Sequence, residues 1–303
     1  MSAVARRPFP LVPRRGFVGV RFGQYRSPRR GQGDEVAGTR PYRPGDRRTW
    51  IDWRASARLS AARGSDEFVV REFFADTAPR VAIAVDRRPR MQLYPPPFPW
   101  LDKHAAVEAA VDAIGRAAVA EGGDLAYAEH PRWLAPAPAA GVLSLLRAPA
   151  AMERPVGPGT LAGSLDLLVR RASNFPAGTF VFIVSDFVDA APPQVWVKLR
   201  GLSWDVVPVV VQDPTWERSF PDVGGVLLPV SDPETGFARE IALSRREARD
   251  RAAVNEERLR RILDGFARLG FDSIQLGSSD PVEIALQFER WAERRRRLRR
   301  RSA

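Results

Sequence analysis

From Arg80 onward, short apolar runs alternate with longer stretches of helical period. Val81 to Val85 has the composition of a buried central strand. His104 to Ala120 spaces alanine, valine and isoleucine at helical intervals, with small side chains that let a helix approach a sheet closely. Leu125 to Glu129 predicts a second strand and Thr160 to Ala172 a second helix; Phe180 to Ser185 predicts a third strand, followed by Asp186, and Val206 to Val211 a fourth. Ser244 and Glu247 form a capping box that opens a long helix. Its apolar stripe is Leu259, Ile262, Leu263, Phe266 and Leu269, and Gly270 closes it. Ser273 to Leu276 predicts a last strand, and a final helix starts at Pro281 and runs into the arginine-rich end. Strands alternating with helices predict the α/β class: a doubly wound, mostly parallel sheet with helices on both faces.

Three segments depart from this alternation. The strip from Tyr94 through Pro95, Pro96, Pro97, Phe98 and Pro99 to Trp100 is expected to be extended and to rim the top of the sheet, because proline fixes φ and lacks a donor. Residues 214–240, with Trp216, Phe220 and a turn from Asp232 to Gly236, predict a loop and a short hairpin. Ahead of the alternating part, Pro44 and Gly45 predict a type II turn at Arg43 to Asp46 within an irregular or β extension. The division that follows is a basic arm over 1–30, a signature region over 31–78, the α/β domain over 79–288 and an arginine-rich helix or tail over 289–303. The arm shows neither period; it is expected to be loose or to be pinned by Phe17, Val18, Val20 and Phe22.

Composition narrows the classes. The chain has 303 residues, 45% apolar, and no cysteine, which excludes a disulfide framework, a thiolate metal site and a cysteine nucleophile. Apolar runs fall far short of the roughly 20 residues of a membrane helix, and the N-terminus lacks the apolar stretch of a secretory signal, so a cytoplasmic protein is expected. The net charge of +11 suggests nucleic acid until it is located. Residues 1–30 hold eight arginines and no acid, and residues 289–303 hold eight arginines against two glutamates, so the body between them is slightly acidic. Only Lys103 and Lys198 are lysines.

The densest run of motifs is Gly31 to Glu35, Arg40-Pro41-Tyr42, Pro44-Gly45-Asp46, Ile51 to Arg58 and Val70-Arg71-Glu72-Phe73. It resembles the DUF58 family of bacterial proteins, which carry a von Willebrand factor A-like (vWA-like) domain and are commonly found beside MoxR-type AAA+ ATPases. The resemblance is strongest over residues 31–91 and leaves both ends uncovered. It implies a vWA-like, Rossmann-type fold and marks Arg40, Tyr42, Gly45, Asp46, Asp52, Trp53 and Arg58 as signature or interaction residues. Among these, Asp46 and Asp52 with Arg54 and Arg58 are expected to form an ion-pair network, and Trp50 and Trp53 to anchor packing.

The same resemblance implies a metal-ion-dependent adhesion site: Asp-x-Ser-x-Ser after the first strand, a threonine in a later loop and an aspartate after a further strand. Asp86, Thr160 and Asp186 match, but Arg88 and Arg90 replace the two serines. Arginine offers donors and no acceptor. A divalent ion about 4 Å from one guanidinium is repelled by roughly 8 kcal/mol at an effective dielectric near 20. The expectation is a degenerate site without metal or cofactor, in which Arg88 or Arg90 pairs with Asp86 or Asp186. The alternatives are a weak Mg2+ site and arginines aimed at a partner's acidic group.

His104 and His130 have no ligand spacing and read as surface or capping residues, and Gly31-Gln32-Gly33 lacks the helix and lysine of a phosphate loop. No catalytic residue is identified. The expected function is a non-enzymatic interaction module acting with a MoxR-type AAA+ ATPase on a client protein, in assembly or maturation of another complex such as a methanol dehydrogenase-type metalloenzyme. The rival is a peripheral binder of anionic membrane or, less favoured, nucleic acid, acting through the arginine-rich termini and above all Arg294 to Arg301.

Overall fold

The computed structural model describes residues 7–14, 26–42, 48–64, 67–76, 78–148, 160–189 and 191–302. The first regular elements stand outside the main sheet. Strand β1 (Arg26–Pro41) pairs antiparallel with β2 (Val69–Asp76), and helix α1 (Trp53–Arg63) lies between them in sequence. Asp52 caps α1 by accepting from the Ala55 N–H at 3.1 Å, and Gly64 ends it at φ 65°, a conformation that glycine tolerates. Ser56 is buried and binds α1 to β2: its hydroxyl donates to the Asp52 carbonyl at 2.7 Å and accepts from the Val69 N–H at 2.9 Å. The sequence pattern predicted β or irregular structure here and no helix, because α1 buries only Ser56 and therefore carries no apolar stripe.

The alternating part gives β3 (Arg80–Val85), α2 (Lys103–Ala120), β4 (Asp124–Glu129), β5 (Arg132–Pro138), α3 (Ala139–Arg147), α4 (Leu161–Arg170), β6 (Phe180–Ser185), α5 (Pro193–Gly201) and β7 (Asp205–Val211). Then come the hairpin strands β8 (Val226–Ser231) and β9 (Ala238–Leu243), α6 (Arg245–Leu269), β10 (Ile274–Leu276) and α7 (Pro281–Ser302). The six-stranded sheet has the order β10-β7-β6-β3-β4-β5, parallel except for β5. Strand side chains alternate between two cores. Val81, Ile83 and Val85 join Phe182 and Val184 on one face, while Ala82, Ala84, Val181 and Ile183 join the α4 and α6 stripes on the other. β5, α3 and α5 were not predicted. Two prolines disguise β5 as a loop, and its place at the sheet edge is where a strand tolerates them.

The final helix runs from Pro281 into the arginine-rich end as its pattern predicted, and segments near both ends of the chain pack into the core. Phe9, Leu11 and Val12 are buried; Phe9 stacks on Phe288 at 4.7 Å and meets Trp291 edge-on at 6.0 Å. In α7, Trp291, Ala292 and Arg295 are buried too, so the core extends past residue 288. Arg295 grips Asp205 through two hydrogen bonds at 2.9 and 2.8 Å, pairs with Asp272, and donates to the Val12 carbonyl at 2.8 Å. The segments holding Phe17, Val18, Val20 and Phe22, and the predicted turn with Gly45 and Asp46, lie outside the described residues.

The proline strip is a turn, not extended. The Phe98 N–H donates to the Pro95 carbonyl at 3.2 Å, and Trp100 folds back to stack on Phe98 at 5.2 Å and meet Trp216 edge-on at 5.1 Å. Ring contacts among Tyr94, Phe98, Trp100 and Trp216 hold this turn closed, a tertiary effect the proline composition does not reveal. No helix among the described residues is long and apolar enough to cross a membrane.

Candidate functional site: an ion-paired cleft at the strand ends

The two central strands each lead into an aspartate, Asp86 after β3 and Asp186 after β6, and both side chains are fully buried. The chain leaves β3 for β4 on one side and later returns to β6 on the other. That reversal opens a crevice at the carboxyl ends of the strands, the usual ligand position in such sheets.

The crevice is filled by the chain's own cations. Arg88 donates from Nε to Asp86 Oδ1 at 3.0 Å and from Nη2 to Asp86 Oδ2 at 2.7 Å, while Nη1 reaches Asp189 at 2.6 Å. The Ser185 hydroxyl adds a bond to Asp86 Oδ2 at 2.8 Å. Arg90 donates to Asp189 at 2.7 Å; its Nε lies 2.9 Å from Asp186 Oδ2 as an ion contact without hydrogen-bond alignment. Lys103, fully buried at the start of α2, donates to Asp186 Oδ2 at 2.8 Å and Glu217 Oε1 at 2.7 Å. Three cations thus face four carboxylates: Asp86, Asp186, Asp189 and Glu217. Burial alone would push the Asp186 carboxyl up, but Lys103 and Arg90 outweigh it and hold the group below the usual carboxylate range. Burial likewise works against the Arg88 charge, and the bond to Asp86 reverses it and raises the group.

This donor set does not fit a divalent cation. Magnesium requires a near-octahedral shell of oxygens, whereas both Asp86 oxygens accept from Arg88 and Asp186 Oδ2 faces two cations. Thr160 is exposed, and its hydroxyl caps α4 by accepting from the Gly163 N–H at 3.1 Å; it makes no hydrogen bond to either aspartate among the described residues. The structure therefore brings together Asp86, Arg88, Arg90 and Asp186 and leaves Thr160 as a helix cap. Lys103, Asp189 and Glu217 were missed as site residues. Lys103 carried a signal, being one of two lysines among 47 basic residues.

The signature residues form a separate group. Asp52 pairs with Arg71 at 3.0 Å rather than with Arg54 or Arg58, because its capping position faces β2 while Arg58 turns along α1 to the Arg54 carbonyl at 3.3 Å. The Ala55 N–H and Arg71 hold the Asp52 carboxyl below its ordinary value. Trp53 is 63% exposed and touches Phe68 edge-on, so it is not the buried anchor expected. Arg40 donates to the Pro41 carbonyl, and the Tyr42 N–H bonds to the Phe68 carbonyl at 2.8 Å. His130 is exposed as expected. His104 is more engaged: its Nδ1 lies 3.2 Å from Arg87 and 3.3 Å from Gln92, beside a buried cluster in which Arg87 also pairs with Glu108 and Glu129.

Fold and cleft together define a mostly parallel α/β protein whose strand-end carboxylates are held by internal cations. The chain belongs to the DUF58 family, described as a protein of unknown function, and matches it over residues 38–261. Among solved structures it is similar to the conserved hypothetical protein BatB from Bacteroides thetaiotaomicron, at 11% identity and a TM-score of 0.37, covering 71% of this chain and 99% of that one. A second is an uncharacterized membrane spanning protein from Vibrio fischeri, at 13% identity and a TM-score of 0.19, covering 71% of this chain and 100% of the other. No curated protein matches.

Proposed function

We propose that this chain is a non-enzymatic interaction module, with a vWA-like, metal-free domain, that works with a MoxR-type AAA+ ATPase to assemble or mature another protein complex. Methanol dehydrogenase-type metalloenzyme maturation is one setting. The ATPase supplies the energy, and this chain presents or recognises the client through the loops that rim the cleft. The observation that supports this reading is the cleft itself: Arg88, Arg90 and Lys103 already pair with the carboxylates at the position where a ligand would sit. A site filled in this way offers a shaped, rigid surface, since buried charges paired with good geometry fix one arrangement of the loops that carry them. The test is purification of the tagged chain from a host encoding the ATPase, with and without ATP. Nucleotide-dependent recovery of an AAA+ ATPase is expected, and its absence under both conditions would overturn the proposal.

One observation favours a second reading. α7 continues to Ser302 with Arg294, Arg296, Arg297 and Arg300 exposed beside an exposed Leu298, which suits an anionic surface. Deleting the tail would remove Trp291 and Arg295 from the core. Substituting Arg294, Arg297 and Arg300 by glutamine and measuring binding to anionic vesicles and DNA at low and high salt tests it cleanly; unchanged binding would exclude that role.

A further inference from the structure

Next to the cleft, a groove of about 500 Å³ runs between the loop after β6, α5 and α6, a size typical of ligand-binding clefts. Its floor is aromatic: Phe266 lies edge-on to Phe187 at 4.9 Å and to Trp196 at 5.4 Å. Val254 stands at its mouth, 60% exposed. Among the described lining residues the only charged ones are Arg258 and Arg261. Arg258 donates one bond, to the Glu217 carbonyl at 2.8 Å, and its Nε is buried without a partner. Arg261 has a loose ion contact with Glu257 at 3.5 Å. Burial pushes the Arg258 guanidinium down, more than the nearby Glu217 and Asp186 carboxylates raise it.

Gly265 points the same way. It lies within α6 and lines the groove, and nothing stands within 4 Å of the place where a Cβ would be. Glycine inside a helix is destabilising relative to alanine, and here no neighbour requires it. Its effect is a notch in an otherwise apolar wall.

We propose that this groove receives a segment of a partner protein in which an apolar anchor is flanked by carboxylates. The anchor enters over Phe187 and Trp196 at the Gly265 notch, and the carboxylates pair with Arg258 and Arg261. The inference rests on the reading of the chain as an interaction module and gives that module's partner a chemistry. It also links groove to cleft. Phe187 holds φ 54°, an outlier for a bulky residue, and directly follows Asp186, so a segment pressing on its ring bears on the cleft loop.

The test uses the full chain and short labelled peptides in which leucine, phenylalanine or tryptophan is flanked by glutamates, each with its glutamine counterpart, read by fluorescence anisotropy. At least one glutamate peptide should bind saturably, with its counterpart weaker by about tenfold, the loss of a charge-assisted pair. Gly265→Leu should abolish binding yet melt at or above the wild-type temperature, because leucine fills the notch and favours the helix. The proposal falls if no peptide gives a signal sensitive to Gly265→Leu, or if the glutamine peptides bind equally well. It falls also if sedimentation finds a dimer that Gly265→Leu dissolves, making a second copy the occupant. None of these readouts involves the ATPase, so co-purification and peptide binding can fail separately.

Discussion

Lys103→Met removes one ammonium and leaves the Asp186 and Glu217 carboxylates, which it had joined at 2.8 and 2.7 Å, without that charge. Each contact represents about 6 kcal/mol of attraction at an effective dielectric near 20, and desolvation of the buried ions cancels much of it. What survives is the asymmetry: removing one partner of a buried pair destabilises by about 3–5 kcal/mol, because the other charge stays buried. Against a total stability of about 5–15 kcal/mol, that loss takes a large share.

The pH dependence distinguishes this from simple loss of packing. In the wild type, Lys103 and Arg90 keep the folded-state Asp186 below its ordinary value. Its stabilisation is therefore fully present above the unfolded carboxyl pKa, about 3.9, and is lost only as pH falls through the lower folded value. Without Lys103, burial drives Asp186 upward, and protonation relieves the variant at a pH where the wild type still gains from the charge. Urea denaturation of both proteins at about pH 7 and about pH 4.5 should show the deficit shrinking at the lower pH. A deficit below about 1 kcal/mol, or one of constant size, would refute a buried charge knot around Lys103.

Arg295→Met should cost about 3–5 kcal/mol by denaturation and open the segment around Phe9 to Val12 to proteolysis, since Arg295 bonds the Val12 carbonyl and Asp205 together; unchanged digestion would count against it. Ser244→Ala removes the cap whose hydroxyl accepts from the Glu247 N–H at 3.2 Å and should destabilise by about 1 kcal/mol, checked by thermal melting with circular dichroism. Calorimetric titration with magnesium or manganese should give no saturable heat; tight binding at one site would show that Arg88 and Arg90 release Asp86 and Asp186.

Sequence made the sheet legible where apolar runs were uninterrupted. Phe180–Ser185 and the α6 boundaries at Ser244 and Gly270 stand where the pattern placed them, since buried parallel strands and capped helices leave local signals. Elements stabilised by context were hidden: β5 by its prolines, α1 by its polar surface, α5 by its short span. The cleft was half legible. Asp86 and Asp186 follow two strands directly, so position after a strand pointed to them, while Arg88 and Arg90 were marked by the adhesion-site pattern that the resemblance implies. Lys103 and Glu217 reach the same point from a helix start and a loop after β7, 114 residues apart, and only the sheet order brings them together.

The arginine-rich composition acquires a different meaning once the side chains are placed. Arg87, Arg88, Arg90 and Arg295 point inward, and each joins separate elements of the fold through its side chain. Arg88 bridges the loop after β3 to the loop after β6, Arg87 ties β3 to β4 and α2, and Arg295 ties α7 to β7 and the N-terminal segment. A planar guanidinium with several donors can hold two carboxylates or a carboxylate and a carbonyl at once, which a single ammonium does less rigidly. In a chain without cysteine, these forks take the clamping role that a disulfide would otherwise fill. It follows that the total of +11 is a poor guide to the surface a partner meets, since much of it is spent on internal pairing, while beside the cleft Arg258 and Arg261 line the groove with looser pairing.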